Sequence, residues 1–244
     1  GPMEVGPTCH YMMGGIRVEA ETAQSTVPGI FAAGEAAAGL HGANRLGGNS
    51  LSDLLVFGRR AGLGAVEYAK KTSAPNLDPQ QVAEAEREML ATFERADGEN
   101  PYSVHHDLQQ TMQALVGIFR VEEDLQRAMG ELEKLKQRAA KVRVEGSRMF
   151  NPGWHLARDL RNMLTVSEAV TRSAIARKES RGAHSRIDFA GLDAEWGRKN
   201  NIIQRDGEAM RLRQNPLPEI PGELKEILED KAAESKTAVT PQKS

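Results

Sequence analysis

The most informative segment of this 244-residue chain is HGANRLGGNSL, which occupies residues 41–51. Its glycine-rich part is followed by apolar residues at helical spacing, which are Leu51, Leu54, Leu55, Phe57, Ala61, Leu63 and Val66. This pattern predicts a buried helix that begins at Ser50, directly after the turn. Glycines allow close backbone approach, and a helix N-terminus presents free N–H groups at the positive end of its dipole. The segment therefore predicts a structure that accepts anions.

Two side chains in this neighbourhood are suited to binding a carboxylate. The guanidinium group of Arg45 is always charged and donates two parallel hydrogen bonds. His10, in the segment PTCHYMMGG at residues 7–15, can add another donor. Each residue taken alone has a simpler explanation. Arg45 could be an ordinary surface arginine, and His10 a histidine in a turn whose hydrogen bonds are satisfied. We expect His41 to have a structural role, and Cys9 to be a small buried hydrophobe.

Composition excludes several classes of function. The formal net charge is -2, so no electrostatic argument favours nucleic acid as the partner. The single cysteine excludes an intrachain disulfide and a metal site with several cysteines, and we predict no metal site. No apolar run approaches the roughly 18 to 20 residues that span a bilayer, so we expect no direct membrane insertion.

The pattern along the chain predicts an α+β protein with separate regions. Residues 1–70 combine short β-like runs, at 15–18 and 29–33, with the predicted helix, and 71–79 form a linker. Residues 80–205 form a helical domain, and 206–244 a C-terminal extension with a disordered end. Within the helical domain, the predicted helices are 82–95, 108–117, 122–142 and 154–177. In the last of these, the inward residues are expected to be Leu156, Leu160, Met163, Leu164, Val166 and Val170.

Three blocks occur in a fixed order: PTCHYMMGG at 7–15, AGE at 33–35 and HGANRLGGNSL at 41–51. Together with LQQTM at 108–112 and RKESRGAH at 177–184, they closely resemble the flavoprotein subunits of succinate dehydrogenases and fumarate reductases. The resemblance covers roughly residues 3 to 205. It implies the C-terminal remnant of an FAD-binding α/β domain, followed by a helical bundle domain and a partly disordered tail.

The resemblance also implies roles for individual residues. Ser50 and Leu51 match residues that contact the flavin, and Glu35 matches one that binds another part of the FAD. Arg45 and His10 match the residues that hold the dicarboxylate against the flavin, which counts Arg45 among the cofactor contacts as well.

The segment 177–186 follows a predicted long helix and is rich in charge, which by default indicates a solvated helix end. The resemblance favours a different role for two of its residues. It implies that Arg181 and His184 fasten the helical region to the flavin domain or to a partner subunit.

Other family features have no matching position here. The sequence lacks the Gly-x-Gly-x-x-Gly turn that holds the FAD pyrophosphate, the histidine that attaches FAD covalently and the arginine that delivers the proton. We therefore expect no catalytic residue in this chain and no activity of the fragment alone. The parent would interconvert succinate and fumarate with FAD, on the inner face of the cell membrane. There it would pass electrons to an iron-sulfur subunit, then to quinone, and a membrane anchor subunit would hold the assembly.

Two alternatives stay open. L-aspartate oxidase shares the fold and a similar histidine and arginine, although Gly47-Gly48-Asn49-Ser50 resembles the dehydrogenases more than the Ala-Ser-Asn-Ser of the oxidase. The other alternative is a non-catalytic helical interaction module that retains the motifs.

Overall fold

A computed structural model describes residues 1–6 and 9–227 of the chain. It divides into two units, Gly1–Asp193 and a second unit that begins at Ala194. The first unit contains an N-terminal region with one long helix, followed by a set of packed helices. The mixed helix and strand content confirms the predicted α+β class.

The N-terminal region is held by isolated β-bridges and one helix. The predicted β-like runs at 15–18 and 29–33 form only single bridges, such as Val18 with Ser25 and Gln24 with Phe31. A short 3-10 helix, Gly34–Ala36, precedes helix α1, Asn49–Lys71. The helix start predicted at Ser50 is thus confirmed to within one residue.

The prediction that α1 is buried is wrong for the described part of the chain. Asp53 is its one buried residue among those described, and Leu51 and Leu55 are 68% and 77% exposed. Helical periodicity identifies an apolar face but says nothing about where its partner lies. The contacts made by α1 include those of Gly64 with Thr22 and of Tyr68 with Phe31.

The predicted helices of the helical region are confirmed, with shifted boundaries. They are α2 (Pro79–Glu94), α3 (Pro101–Leu115), α4 (Glu122–Ala139) and α5 (Pro152–Ala176). Helices α2, α3 and α5 begin in the same way, with an Asp or Asn at the N-cap followed by proline at the first helical position. The capping side chains accept hydrogen bonds from the second or third helical amide, as Asn151 does from Trp154 at 3.0 Å. Proline suits that position because its missing N–H would have no partner there.

Helices α3, α4 and α5 pack around one apolar core. Its buried members are Val104, Leu108, Leu132, Leu135, Val142, Leu160 and Leu164. A second cluster continues the core toward the ends of α3 and α5 and comprises Val116, Leu125, Ala128 and Ala174. The predicted inward position of Val166 is wrong, because its side chain is 45% exposed. Val166 lies two residues after Leu164, which turns it to another side of the helix.

A buried carboxylate joins two helices of this core. Glu168 on α5 pairs with Lys136 of α4 and with Arg172 one turn further along α5, the latter at 2.6 Å. Strand β1 (Phe119–Arg120), between α3 and α4, pairs in parallel with β2 (Ser185–Arg186), which follows α5. This pairing fixes the segment after α5 against the end of α3.

The second unit contains an antiparallel hairpin of β3 (Lys199–Asp206) and β4 (Ala209–Pro216). Its two-residue loop begins with Gly207 at φ 62°, a left-handed value that glycine adopts without strain. The hairpin crosses the domain boundary that the sequence predicts at 205/206, because the strands pair across that point. The disordered end predicted for the 206–244 extension falls mostly on residues 228–244, which lie outside the described residues.

Within residues 1–6 and 9–227, no helix is long and apolar enough to cross a membrane. Over the same residues, no cluster of three or more His, Cys, Asp or Glu side chains is placed to hold a metal ion.

Candidate flavin and dicarboxylate site

Arg45 lies in the loop before α1, and its guanidinium contacts Ser50, Tyr11 and, at 3.5 Å, the Leu46 carbonyl. Its Nη1 donates to Ser50 Oγ at 3.2 Å, and its Cζ lies 4.7 Å from the centre of the Tyr11 ring. The Nε of Arg45 is buried and has no hydrogen-bond partner within the described residues. A buried N–H that lacks a partner is costly, so this arginine retains capacity to bind an acceptor from outside the chain.

Tyr11 forms the centre of a small stack. Its ring meets the His41 ring edge to face at 5.3 Å, and Arg45 covers the ring as a cation over an aromatic face. Behind His41 lies Asp53, which is buried on α1 with its Oδ2 3.4 Å from His41 Nε2. Burial raises the pKa of Tyr11, and the negative charges of Asp53 and Glu35 raise it further against the opposing effect of Arg45. The Tyr11 hydroxyl is therefore neutral at ordinary pH.

Glu35 connects the block at 7–15 to the 3-10 helix. Its Oε1 accepts a hydrogen bond from the Met12 amide at 2.8 Å. Nearby, the Ile16 amide donates to the Ala36 carbonyl at 2.8 Å. A Cβ on Gly15 would lie 2.4 Å from that carbonyl oxygen, so only glycine permits this approach. The first and second sequence blocks are therefore joined by contacts that depend on Glu35 and Gly15.

The N-terminus of α1 is open in a way that suits an anionic or electron-rich ligand. Its cap, Gly48, has φ 82° and no side chain hydrogen-bonds to the helix amides. A Cβ at Gly47 or Gly48 would meet nothing within 4 Å, and Leu51 is largely exposed. Two amides of the first turn are already occupied, since Asn49 donates to the Leu46 carbonyl at 3.2 Å and Leu51 to the Gly48 carbonyl at 3.1 Å. The open glycines, the exposed Leu51 and the positive end of the helix dipole fit a flavin ring lying against this turn.

Two of the predicted site residues, Arg45 and Ser50, contact each other in the described part of the chain, and the other three lie on segments next to them. Arg45 contacts Ser50, and Glu35 holds the segment that continues from His10 and Tyr11. His10 is exposed, with its ring 6.4 Å from that of Tyr11, and no hydrogen bond joins it to Arg45 within the described residues. The prediction that Cys9 is buried is wrong, because its side chain is exposed.

Tyr11 and Asp53 were missed by sequence reasoning. Tyr11 lies next to His10, and no residue pattern signals that its ring meets both His41 and Arg45. Asp53 had a usable signal, since it is a single acidic residue among the apolar positions of α1. A buried carboxylate of that kind calls for a polar neighbour, and the nearest one described is His41 Nε2 at 3.4 Å.

The segment from Arg177 to Arg186 is not a solvated helix end, so that default interpretation is wrong. Glu179 and Arg186 are each only 1% exposed. Arg186 donates to Glu122, Asp188 and the Ala174 carbonyl at 2.7–2.8 Å. Charges are buried here because each has opposite charges or backbone acceptors around it.

Glu179 organises the other half of this segment. Its carboxylate accepts two hydrogen bonds from Arg181, at 2.9 and 3.1 Å, one from the Asp193 amide and one from Arg177. Burial raises the pKa of Glu179, but the bonds from Arg181, the Asp193 amide and Arg177 outweigh burial and lower the pKa to about 2. The carboxylate is therefore ionised at neutral pH.

His184 links this segment to the end of α3. Its Nδ1 lies 2.9 Å from Arg120 Nη1 and its Nε2 lies 3.0 Å from the Arg177 carbonyl oxygen. Because Arg120 can only donate, Nδ1 accepts and Nε2 carries the proton, which defines a neutral histidine. Burial lowers the pKa of His184, and the charges of Arg120, Arg186 and Arg177 lower it further.

The same segment also touches the loop that carries Arg45. The Ala183 amide donates to the Ala43 carbonyl at 3.0 Å. The resemblance implies that Arg181 and His184 fasten the helical region to the flavin domain or to a partner subunit. The contact seen here is made by the backbone of Ala183, which lies between those two residues.

Comparison with known proteins identifies the class as a flavoprotein. Residues 105–231 match the family model of the fumarate reductase flavoprotein C-terminus, and residues 2–51 match that of an FAD-binding domain. The first match spans more than half of the chain. The chain therefore belongs to the succinate dehydrogenase and fumarate reductase flavoprotein family, and FAD is its cofactor.

Individual relatives support this placement. The chain is 37% identical over 223 residues to the fumarate reductase flavoprotein subunit of Mycobacterium tuberculosis, which covers 88% of this chain and 38% of that protein. It is 38% identical over 219 residues to the succinate dehydrogenase flavoprotein subunit of Coxiella burnetii, covering 84% and 37%.

Among solved structures, Mycobacterium smegmatis Sdh1 in complex with UQ1 superposes with a TM-score of 0.88 at 49% identity, covering 95% of this chain and 40% of that one. The chain thus spans well under half the length of the relatives that it matches.

Proposed function

We propose that the chain forms one wall of the site at which an FAD-dependent oxidoreductase interconverts succinate and fumarate. The observation that carries the proposal is the convergence on Arg45, whose guanidinium contacts both Ser50 at the start of α1 and the ring of Tyr11. An arginine held in this way, with its buried Nε lacking a partner in the described part of the chain, is prepared to receive a carboxylate.

In this proposal, Arg45 binds one carboxylate of the substrate and His10 donates to the same end of the molecule. Binding by Arg45 draws electron density toward that carboxylate and fixes the orientation of the carbon that exchanges hydride. Tyr11 and Ser50 hold the guanidinium in place, so little side-chain ordering remains to be done when substrate binds. The proton-delivering residue lies elsewhere, so we assign no catalytic residue to this chain.

Ser50, Leu51 and Glu35, together with Arg45, form the proposed contacts to FAD. When bound, FAD supplies the hydride chemistry, and its reduced form concentrates negative charge at N1 and the C2 carbonyl. The N-terminus of α1 favours that charge, because it is the positive end of the helix dipole. It therefore raises the reduction potential of the flavin relative to a site without it.

The relatives are named as subunits, and we infer that the electrons pass from the flavin to an iron-sulfur subunit, then to quinone. Attachment to the inner face of the cell membrane, with the chain on the cytoplasmic side, would come through these partner subunits. Because the chain spans 37–40% of the relatives compared above, we further propose that it is inactive alone.

Turnover by the complete flavoprotein that contains this chain tests the proposed reaction. We expect succinate-dependent reduction of an artificial dye, and no peroxide formation from L-aspartate. Aspartate-dependent peroxide formation without succinate activity would instead identify an L-aspartate oxidase and contradict the proposal.

Titration of the isolated chain with FAD tests the proposal that it is inactive alone. We expect no quenching of flavin fluorescence and no succinate:dye activity from the fragment. Succinate:dye activity from the fragment alone would overturn this part of the proposal. A complete protein that binds no flavin would support the remaining alternative, a helical interaction module.

A further inference from the structure

The backbone turn formed by residues 181–184, here called the 181–184 turn, is in direct contact with the loop that carries Arg45. The Ala183 amide donates to the Ala43 carbonyl at 3.0 Å. A Cβ at Gly182 would lie 2.3 Å from that carbonyl oxygen and 2.8 Å from the Ala43 Cβ. The contact is therefore possible only because residue 182 has no side chain.

This contact is the main backbone attachment of the loop. Among the described residues, positions 39–45 make no other backbone–backbone hydrogen bond. Residues 42–44 are exposed, and a Cβ at Gly42 would meet nothing within 4 Å. The other contacts of this loop described above are made by side chains, those of His41 with Tyr11 and Asp53 and of Arg45 with Tyr11 and Ser50. The bond to Ala183 is therefore what fixes the backbone just before Arg45.

The 181–184 turn is, in contrast, firmly held. Arg181 and His184 exchange two backbone hydrogen bonds, at 2.8 and 3.1 Å. Arg181 makes a two-pronged ion pair with the buried Glu179, and His184 connects to Arg120 and to the end of α5. The turn can therefore act as a fixed surface against which the loop rests.

We propose that Gly182 is a positioning residue for Arg45, acting through the Ala43 carbonyl. The proposal rests on the proposed function, since it assumes that Arg45 binds the dicarboxylate. A side chain at residue 182 would push the Ala43 carbonyl away, and Arg45 follows only two residues later. The helical region thus takes part in substrate binding without contacting the substrate.

The test is a titration of the complete FAD-loaded flavoprotein with malonate, followed by the change in flavin absorbance. Malonate is a dicarboxylate with one carbon between its carboxylates, so it cannot be dehydrogenated to an alkene and reports binding alone. We expect Gly182→Ala to weaken malonate binding about ten-fold or more, because small displacements of binding groups are costly. Its FAD content should stay unchanged.

Gly207→Ala is the matched control. Gly207 has φ +62°, against +59° for Gly182, but a Cβ there would meet nothing within 4 Å. Both substitutions carry the strain of a left-handed alanine, and only the one at residue 182 displaces a neighbour. Equal malonate affinity for the two variants would overturn the proposal.

The route through Arg45 is tested by combining substitutions. In an Arg45→Lys background, Gly182→Ala should weaken malonate binding by less than about two-fold, because the effects of coupled residues are not additive. An equal cost in both backgrounds would show that Gly182 does not act through Arg45, and would overturn the inference alone. Unchanged malonate binding by Arg45→Lys itself would instead contradict the proposed function, and the inference with it.

A second variant covers the case in which Gly182→Ala fails to load FAD. Arg181→Lys keeps the charge but loses the two-pronged geometry with Glu179, which loosens the turn without a clash. We expect it to weaken malonate binding about three-fold, again only when Arg45 is present. A loss of the same size in the Arg45→Lys background would overturn the proposal.

Discussion

At the residue scale, Tyr11 has no proposed contact with substrate or FAD, yet it contacts Arg45, the residue proposed to bind the dicarboxylate. Its ring lies between His41 and the guanidinium of Arg45. A cation over an aromatic face contributes about 0.5–2 kcal/mol, depending on how far it is removed from water. The ring therefore stabilises one orientation of Arg45 before any ligand arrives.

Replacing Tyr11 tests this role. Tyr11→Leu removes the aromatic face and should weaken malonate binding to the FAD-loaded flavoprotein about 3- to 10-fold, whereas Tyr11→Phe keeps the face and should stay within about two-fold. The affinities follow from the same flavin absorbance titration. A Tyr11→Phe variant as weak as Tyr11→Leu would assign the effect to the hydroxyl and contradict the account.

His184 gives a prediction about pH. Its pKa is lower in the folded protein than the usual 6.5, so the unfolded chain binds this proton more readily. The stabilising effect of neutral His184 is complete above pH 6.5 and declines as the pH falls through 6.5 toward the lower, folded pKa. Protonation would also remove the acceptor that Nδ1 offers to Arg120.

Thermal unfolding of the protein between pH 7.5 and 5 measures this effect, and His184→Gln removes the titrating group. The fall in melting temperature with decreasing pH should be smaller in His184→Gln than in the wild type. His106→Gln, at an exposed histidine of α3, is the control and should keep the wild-type slope. Identical slopes for the wild type and His184→Gln would refute the prediction.

At the scale of elements, the three-helix core of α3, α4 and α5 accounts for much of the buried apolar surface described above. Leu160 on α5 is completely buried in this core, while Val166 on the same helix is half exposed. Removing side-chain atoms from a packed core leaves a cavity, but removing them from an exposed position does not.

Leu160→Ala should lower the free energy of unfolding by about 2–5 kcal/mol. Val166→Ala, the control on the same helix, should change it by less than about 1 kcal/mol. Denaturant unfolding followed by circular dichroism measures both. Similar losses for the two variants would contradict the assignment of the core.

Sequence patterns predict these elements unequally well. Helices α2 to α5 follow from apolar spacing, which is a local signal. Their predicted starts at 82, 108 and 154 are late for α2, α3 and α5, where Asp-Pro and Asn-Pro at residues 78, 100 and 151 mark earlier starts. Burial of Arg186 and Glu179 does not follow, because a charged run looks solvated until the tertiary fold brings its partners together. Pairing of β1 with β2 is likewise invisible locally, since each strand has two residues.

At the scale of the whole molecule, the candidate site is more predictable than its surroundings. Three sequence blocks predict the site residues His10, Glu35, Arg45, Ser50 and Leu51. The structure joins the first block to the second through Met12 and to the third through Tyr11. The contact between Gly182 and Ala43 could not be named, because it joins residues 139 positions apart through backbone atoms. Backbone contacts of this kind leave little trace in side-chain patterns.

The exposed apolar face of α1 is also a property of the whole molecule. The helix periodicity predicts burial, yet Leu51, Leu54 and Leu55 are exposed in the described part of the chain. The chain spans 37–40% of the relatives compared with it, and the proposed function treats it as one wall of a larger site. In the proposed function, the apolar residues of this face would meet the flavin ring and Arg45 would lie at its edge.

The most direct test of this account is the malonate affinity of the FAD-loaded flavoprotein with Arg45→Gln. Arg17→Gln, which changes an exposed arginine in the same region, is the matched control. We predict that Arg45→Gln weakens malonate binding by about 100-fold or more, since a charge-assisted pair is lost and the bound carboxylate is left without its cation. Arg17→Gln should stay within about two-fold of the wild type. Equal affinities for the two variants would contradict the claim that this chain supplies the dicarboxylate-binding wall.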